Sequence, residues 1–143
     1  MITEIIARLK AHGIRPSQQR LAIMSQLDGN TTHPTVDDIF SALRTKMPTL
    51  SRTTVYTTMK SFARQGLLRE VRTDDGELRY DSRTHFHAHF KCRVCGGVFD
   101  LELPAPHRHL YVSMPKGFIE EDEQLNYYGL CPKCSETKKK KEG

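Results

Sequence analysis

Apolar residues recur at helical spacing throughout the first half of the chain. Ile2, Ile5, Ile6 and Leu9 share a face and Gly13 follows; Leu21, Met24 and Leu27 run up to Gly29. This spacing predicts two short helices, each ending at a glycine. A third helix is signalled more clearly. Thr35 stands as N-cap with Asp38 three residues later, and Val36, Ile39, Phe40 and Leu43 fall at i, i+3, i+4 and i+7. Pro48 then breaks the chain. Ser51 caps a fourth helix whose buried stripe is Val55, Met59, Phe62 and Ala63, and Gly66 stops it. Beyond it, Leu68-Arg69-Glu70-Val71 and Leu78-Arg79-Tyr80-Asp81 read as strands joined through Asp74-Asp75-Gly76, whose glycine suits a tight hairpin turn. Helices followed by a hairpin predict a winged helix.

The second half opens on His85-Phe86-His87-Ala88-His89-Phe90-Lys91-Cys92, where alternation at period two predicts a strand with its three histidines on one side. Gly96-Gly97 turns the chain into a second strand, Val98-Phe99-Asp100-Leu101, and so brings Asp100 back towards the histidines. Imidazoles and a carboxylate on one face have the makings of a metal site. The stretch from Pro104-Ala105-Pro106 to Pro115 reads as a short helix bounded by prolines. The expected class is α+β: a winged-helix domain with a hinge over 1–81, a smaller α/β domain over 82–137, and a disordered basic tail over 138–143.

Charge separates the two halves. Residues 1–80 carry 12 Lys/Arg against 8 Asp/Glu, whereas 81–137 carry 6 against 8. The basic half is the candidate partner for a polyanion. Within it, the face of the fourth helix opposite the buried stripe carries Arg52, Thr53, Tyr56, Thr57 and Lys60. That mixture of cations, hydroxyls and an aromatic suits phosphates and base edges in a DNA major groove. A solvated polar face is the blander reading of any single helix; the hairpin and the charge balance favour recognition. No apolar run is long enough to span a bilayer.

The four cysteines form two knuckles, Cys92-Arg93-Val94-Cys95 and Cys131-Pro132-Lys133-Cys134, with none left over. Together they can supply one closed tetrahedral thiolate site for structural Zn²⁺, with no coordination position open to substrate. Two disulfides or a redox pair are the alternatives, and the expectation of a cytoplasmic chain without a signal segment weighs against them. A zinc enzyme such as a nucleic-acid deaminase requires His-x-Glu beside Pro-Cys-x-x-Cys. This chain has His87-Ala88-His89, and its proline lies inside the second knuckle. Neither knuckle is followed by histidine, which excludes haem attachment. The chain is therefore expected not to be an enzyme.

Taken in order, Gly13-Ile14-Arg15 with Gln19-Arg20, His33-Pro34-Thr35, Ser51-Arg52-Thr53-Thr54-Val55-Tyr56, Arg79-Tyr80-Asp81 and the His-Ala-His-Phe-Lys-Cys run with both knuckles resemble the ferric uptake regulator family of metal-dependent repressors, over essentially residues 1–137. The resemblance implies a cytoplasmic homodimer on a palindromic double-stranded operator, with a winged-helix DNA-binding domain and an α/β dimerisation domain holding the cysteine-bound zinc. It adds Arg15, Gln19, Arg20, Ser51 and Thr54 to the DNA-facing candidates. It also implies a regulatory site for Fe²⁺ or Mn²⁺ at His33, Asp81, His87, His89 and Asp100. Aspartate at position 100 resembles the peroxide-sensing branch, where iron-catalysed oxidation falls on a ligand histidine, here His33 or His87; iron-uptake repressors usually have glutamate there, and an iron-responsive repressor is the alternative. A further metal site usual in the family has histidine where this chain has Glu123. His85, His107, His109, Glu121 and Asp122 are read as needing no metal.

Overall fold

The computed structural model describes residues 1–73, 75–104 and 113–142. It divides into two compact units, Met1–His85 and Phe86–Gly143. The division falls in the run of histidines, four residues beyond the boundary expected at 81/82.

The first unit holds α1 (Ile2–Ala11), α2 (Gln18–Leu27), α3 (Val36–Leu43), α4 (Arg52–Arg64) and a hairpin of β1 (Arg69–Arg72) and β2 (Leu78–Asp81). The caps expected from sequence are made. Thr35 Oγ1 accepts from the Asp38 amide at 3.1 Å while Asp38 Oδ2 accepts from the Thr35 amide at 2.9 Å, a reciprocal box that satisfies two amides at the start of α3. Ser17 and Ser51 cap α2 and α4. The apolar stripes meet in one core of Ile5, Leu9, Ile23, Met24, Leu27, Ile39, Leu43, Val55, Met59, Phe62 and Tyr80. Burying a residue such as Phe62 there is worth roughly 1.5–3 kcal/mol. β1 and β2 pair antiparallel from Arg69↔Asp81 to Arg72↔Leu78, and Gly76 sits at φ 77° in the connection. Asp74, named in the expected turn, lies outside the described residues. Helices, core and hairpin make a winged helix.

In the second unit β3 (Ala88–Cys92) is central, antiparallel to β4 (Val98–Leu101) and parallel to β5 (Asn126–Gly129), and α5 (Pro132–Glu142) follows. Phe90 pairs with both Phe99 and Tyr127, so these three rings lie in a row on one sheet face; Phe99 and Tyr127 are exposed.

Two expectations are corrected here. The strand begins at Ala88, not at His85, so the three histidines do not share a strand face: only His89 lies on β3, and His85 is exposed and meets Arg83 Nη2 at 3.1 Å. The second concerns the basic tail, expected to be disordered, whose lysines are helical in the described residues. Lys138–Lys141 continue α5, where lysine has good helix propensity and cations in the last turn complement the macrodipole. The proline-bounded helix expected over 104–115 falls mostly outside the described residues, as do His107 and His109. No helix among the described residues is long and apolar enough to cross a membrane.

Candidate metal centres and nucleic-acid interface

In the first unit the segment His33-Pro34-Thr35 is laid against β2. Thr35 bridges to Arg79, the Tyr80 amide donates to Pro34 O at 3.0 Å, and Arg79 Nη1 donates to His33 O at 3.2 Å. These contacts carry His33 to Asp81, with Nε2 3.4 Å from Oδ2 and both side chains buried. The amide of Arg83 donates to Asp81 Oδ1 at 2.8 Å and fixes the carboxylate. His33 has φ 56°, the only positive φ at a non-glycine among the described residues. Such a conformation costs on the order of 1–3 kcal/mol and persists only where its surroundings enforce it. The imidazole is therefore held in place by backbone contacts.

In the second unit the β3–β4 register puts His89 opposite Asp100. His87 Nε2 lies 2.7 Å and His89 Nε2 3.4 Å from the same Asp100 Oδ1, and the two imidazole centroids are 4.5 Å apart. Both histidines are almost wholly buried. Two nitrogens converging on one carboxylate oxygen make a half-site for a cation, and a donor set of imidazole and carboxylate without thiolate suits Fe²⁺ or Mn²⁺. His85, Glu121 and Asp122 join no cluster of potential ligands among the described residues.

The four thiols come together in the same unit. Cys92 closes β3, Cys95 lies in the following turn, and Cys131 and Cys134 sit at the start of α5. The turn is set by Gly96 N donating to Cys92 O at 3.0 Å, and the knuckles are tied together by Arg93 N donating to Gly129 O at 2.8 Å. All four cysteines are free, and their sulfurs lie within 4.8 Å of one another, with Cys95 and Cys131 at 3.9 Å. Tetrahedral zinc at ~2.3 Å from each sulfur needs separations of about 3.8 Å, which this cluster nearly has already. Backbone hydrogen bonds from Cys131 and Cys95 hold Cys92 down to about 6, while neighbouring thiols, Cys131 first, and burial push Cys134 up to about 12. Four sulfurs at this spacing can all ionise together only around a compensating cation. The cluster suits structural Zn²⁺.

On α4, Arg52, Thr53, Tyr56 and Thr57 are exposed and Lys60 is half-buried, as its polar face predicts. Thr54 differs: it is half-buried and its hydroxyl is 2.8 Å from Ser51 Oγ, so both hydroxyls serve the cap. Arg20 Nη1 donates to Arg15 O at 2.7 Å, linking two of the other candidates, and Gln19 is half-buried on α2. Sequence reasoning missed the acids behind the cations. Asp37 on α3 pairs with Arg52, and Glu70 on β1 pairs with Lys60 at 2.9 Å and Arg72 at 2.6 Å. Nothing in the spacing of Asp37 with Arg52 or of Glu70 with Lys60 announced it, since each of these pairs joins two elements; Arg72 lies on the same strand as Glu70.

A sequence model of the ferric uptake regulator family matches residues 11–128, most of the chain. The chain belongs to that family. Among its relatives is the peroxide operon regulator of Bacillus subtilis (strain 168), 35% identical over 135 residues that cover 94% of this chain and 93% of the relative. The peroxide-responsive repressor PerR of Staphylococcus epidermidis is 33% identical, again over 94% of this chain and 91% of its own. The ferric uptake regulator Fur of Helicobacter pylori has a similar fold, with a TM-score of 0.69 at 18% identity and 94% of each chain covered. PerR of Streptococcus pyogenes aligns with a TM-score of 0.53 at 25% identity, over 93% of this chain and 92% of that one. As a member of this family the chain is a metal-dependent transcriptional regulator and not an enzyme, and the repressors of the family are DNA-binding dimers.

Proposed function

We propose that this family member is a cytoplasmic, homodimeric repressor of a palindromic operator, and that it responds to hydrogen peroxide through a regulatory metal held by His33, Asp81, His87, His89 and Asp100. The observation that carries the reading is the donor set. Two buried half-sites, His33 with Asp81 and His87 and His89 with Asp100, offer imidazole nitrogens and aspartate oxygens and no thiolate. The peroxide regulators among the relatives, matched over nearly the whole chain, agree with it.

An ion that draws ligands from both units favours whichever arrangement lets all five reach it. Moving a two-state equilibrium from 1:99 to 99:1 takes about 10⁴-fold preferential binding, roughly 5.5 kcal/mol, within reach of two carboxylates and three imidazoles acting together. The repressing form would then present α4 of each subunit to one half-site. The exposed Phe99 and Tyr127 on the sheet face support burial against a second copy.

When bound there, Fe²⁺ would mediate reduction of hydrogen peroxide at the expense of a neighbouring ligand, and Mn²⁺ would give the same ligation without that chemistry. His33 or His87, lying among the ligands, would take up one oxygen atom of the peroxide at a ring carbon while the other leaves as water; an oxidised imidazole is a poorer ligand, so the ion would no longer tie the two units and repression would end. Mass spectrometry of the iron-loaded protein after peroxide tests this. A gain of one oxygen on a peptide containing His33 or His87 supports the reading, and its absence favours an iron-responsive repressor.

A further inference from the structure

Arg52 opens α4 and Asp37 lies in the first turn of α3. The Asp37 carboxylate accepts hydrogen bonds from both Arg52 Nε and Arg52 Nη2, the latter to Oδ2 at 3.3 Å, so the guanidinium is gripped side-on at two points. The side chains remain 61% and 67% exposed. A pair this exposed contributes little to stability. The hydrogen bond from Arg52 holds the Asp37 carboxyl below its usual range, so it stays charged.

Chemistry and position give the pair a different use. A guanidinium has five N–H groups, and the side-on grip occupies the one on Nε and one on Nη2. Three remain, and the Nη1–Nη2 edge they form matches O6 and N7 of guanine in the major groove. Arg52, Tyr56 and Lys60 fall at i, i+4 and i+8 and share one ridge of α4, with Arg52 at the N-terminal end, where recognition helices meet base edges. An arginine without a buttress reaches any nearby phosphate. One clamped beforehand loses little freedom on binding, and the carboxylate beside it repels phosphates whatever the sequence, so correct and incorrect sites are driven apart.

We propose that Asp37 is a positioning residue for sequence readout, fixing Arg52 so that its outer edge selects a guanine in each half-site. The inference rests on the reading of α4 as the DNA-reading helix. Asp37 is exposed and outside the core, so its replacement leaves the fold intact.

The test uses the manganese-loaded full chain and a randomised double-stranded DNA library, with bound duplexes sequenced for the wild type, Asp37→Asn, Asp37→Glu, Arg52→Ala and Tyr56→Ala. The wild type should enrich guanine about tenfold at one position of each half-site, and Arg52→Ala should lose that preference. Asp37→Asn should still bind DNA, yet fall to about twofold enrichment at that position alone, with Asp37→Glu partly restoring it. Enrichment unchanged in Asp37→Asn while Arg52→Ala abolishes it, or a uniform loss across all positions in Asp37→Asn, overturns the positioning role and leaves α4 as the reader. A motif untouched by both Arg52→Ala and Tyr56→Ala, or no motif in the wild type, removes α4 from the groove and takes the underlying reading with it.

Discussion

His89 stands directly across the β3–β4 ladder from Asp100, and the oxygen that faces its Nε2 at 3.4 Å is the one His87 Nε2 meets at 2.7 Å. One carboxylate thus orients two imidazoles. Asp100→Asn keeps the shape of the site and removes its charge. It should lower Mn²⁺ affinity by on the order of a hundredfold, since even residues that only orient ligands contribute ~10–100-fold. Isothermal titration calorimetry measures it, and wild-type affinity would remove Asp100 from the ligand set.

His89→Ala separates metal binding from folding. The β3 backbone pairs on both sides whatever the side chain, so circular dichroism should remain that of the wild type while manganese-dependent DNA binding is lost. Retention of that dependence in gel-shift titrations would contradict the role given to His89.

Removal of zinc should be structural in its effect. Cys95→Ser leaves three thiols where a closed site needs four. Purified protein should lose zinc by elemental analysis and fail to form the dimer in sedimentation experiments. A zinc-free dimer of normal melting temperature argues against the cluster as the brace of the second unit.

Much of this was legible in the sequence because the signals were local. Thr35 with Asp38 and Ser51 before α4 are reciprocal or nearest-turn hydrogen bonds, and the two cysteine knuckles carry their geometry in four residues each. What escaped was long-range or opposed by another local term. β5 has only Asn126-Tyr127-Tyr128-Gly129 and earns its place by pairing parallel to β3, far away in sequence. Like charges in the lysine run repel one another, yet α5 starts at the second knuckle and its lysines fall at the end where the helix dipole welcomes them. His85 matched the alternation and still lies outside the strand, because pairing with β4 reaches only Ala88↔Leu101. For the candidate site, the five residues expected to hold the regulatory metal are ones the structure buries or half-buries in two groups, His33 with Asp81 and His87 and His89 with Asp100; the left-handed backbone of His33 is not foreshadowed, since His-Pro gives no warning of it.

Tyr80 offers a stability test within the first unit. Its side chain is fully buried, its hydroxyl has no hydrogen-bond partner among the described residues, and burial pushes its ionisation up. Deleting a buried polar atom that lacks a partner removes a desolvation cost. Tyr80→Phe should therefore leave the urea midpoint unchanged or raise it, whereas Phe62→Ala, which opens a cavity in the same core, should lower stability by about 3–5 kcal/mol. A clearly destabilised Tyr80→Phe would reveal a partner for the hydroxyl.

β3 carries both His89 and Cys92 on five residues, about 10 Å apart along the strand, and its last residue is one corner of the sulfur cluster. The two ions would consequently stand in a hierarchy. Taking the metal from the imidazoles leaves the strand anchored by its thiols, and the protein can be reloaded; stripping the zinc unmoors the strand and dismantles the sensor along with its scaffold. Mild chelators would then reset this regulator, and only those strong enough to compete with four sulfurs would destroy it.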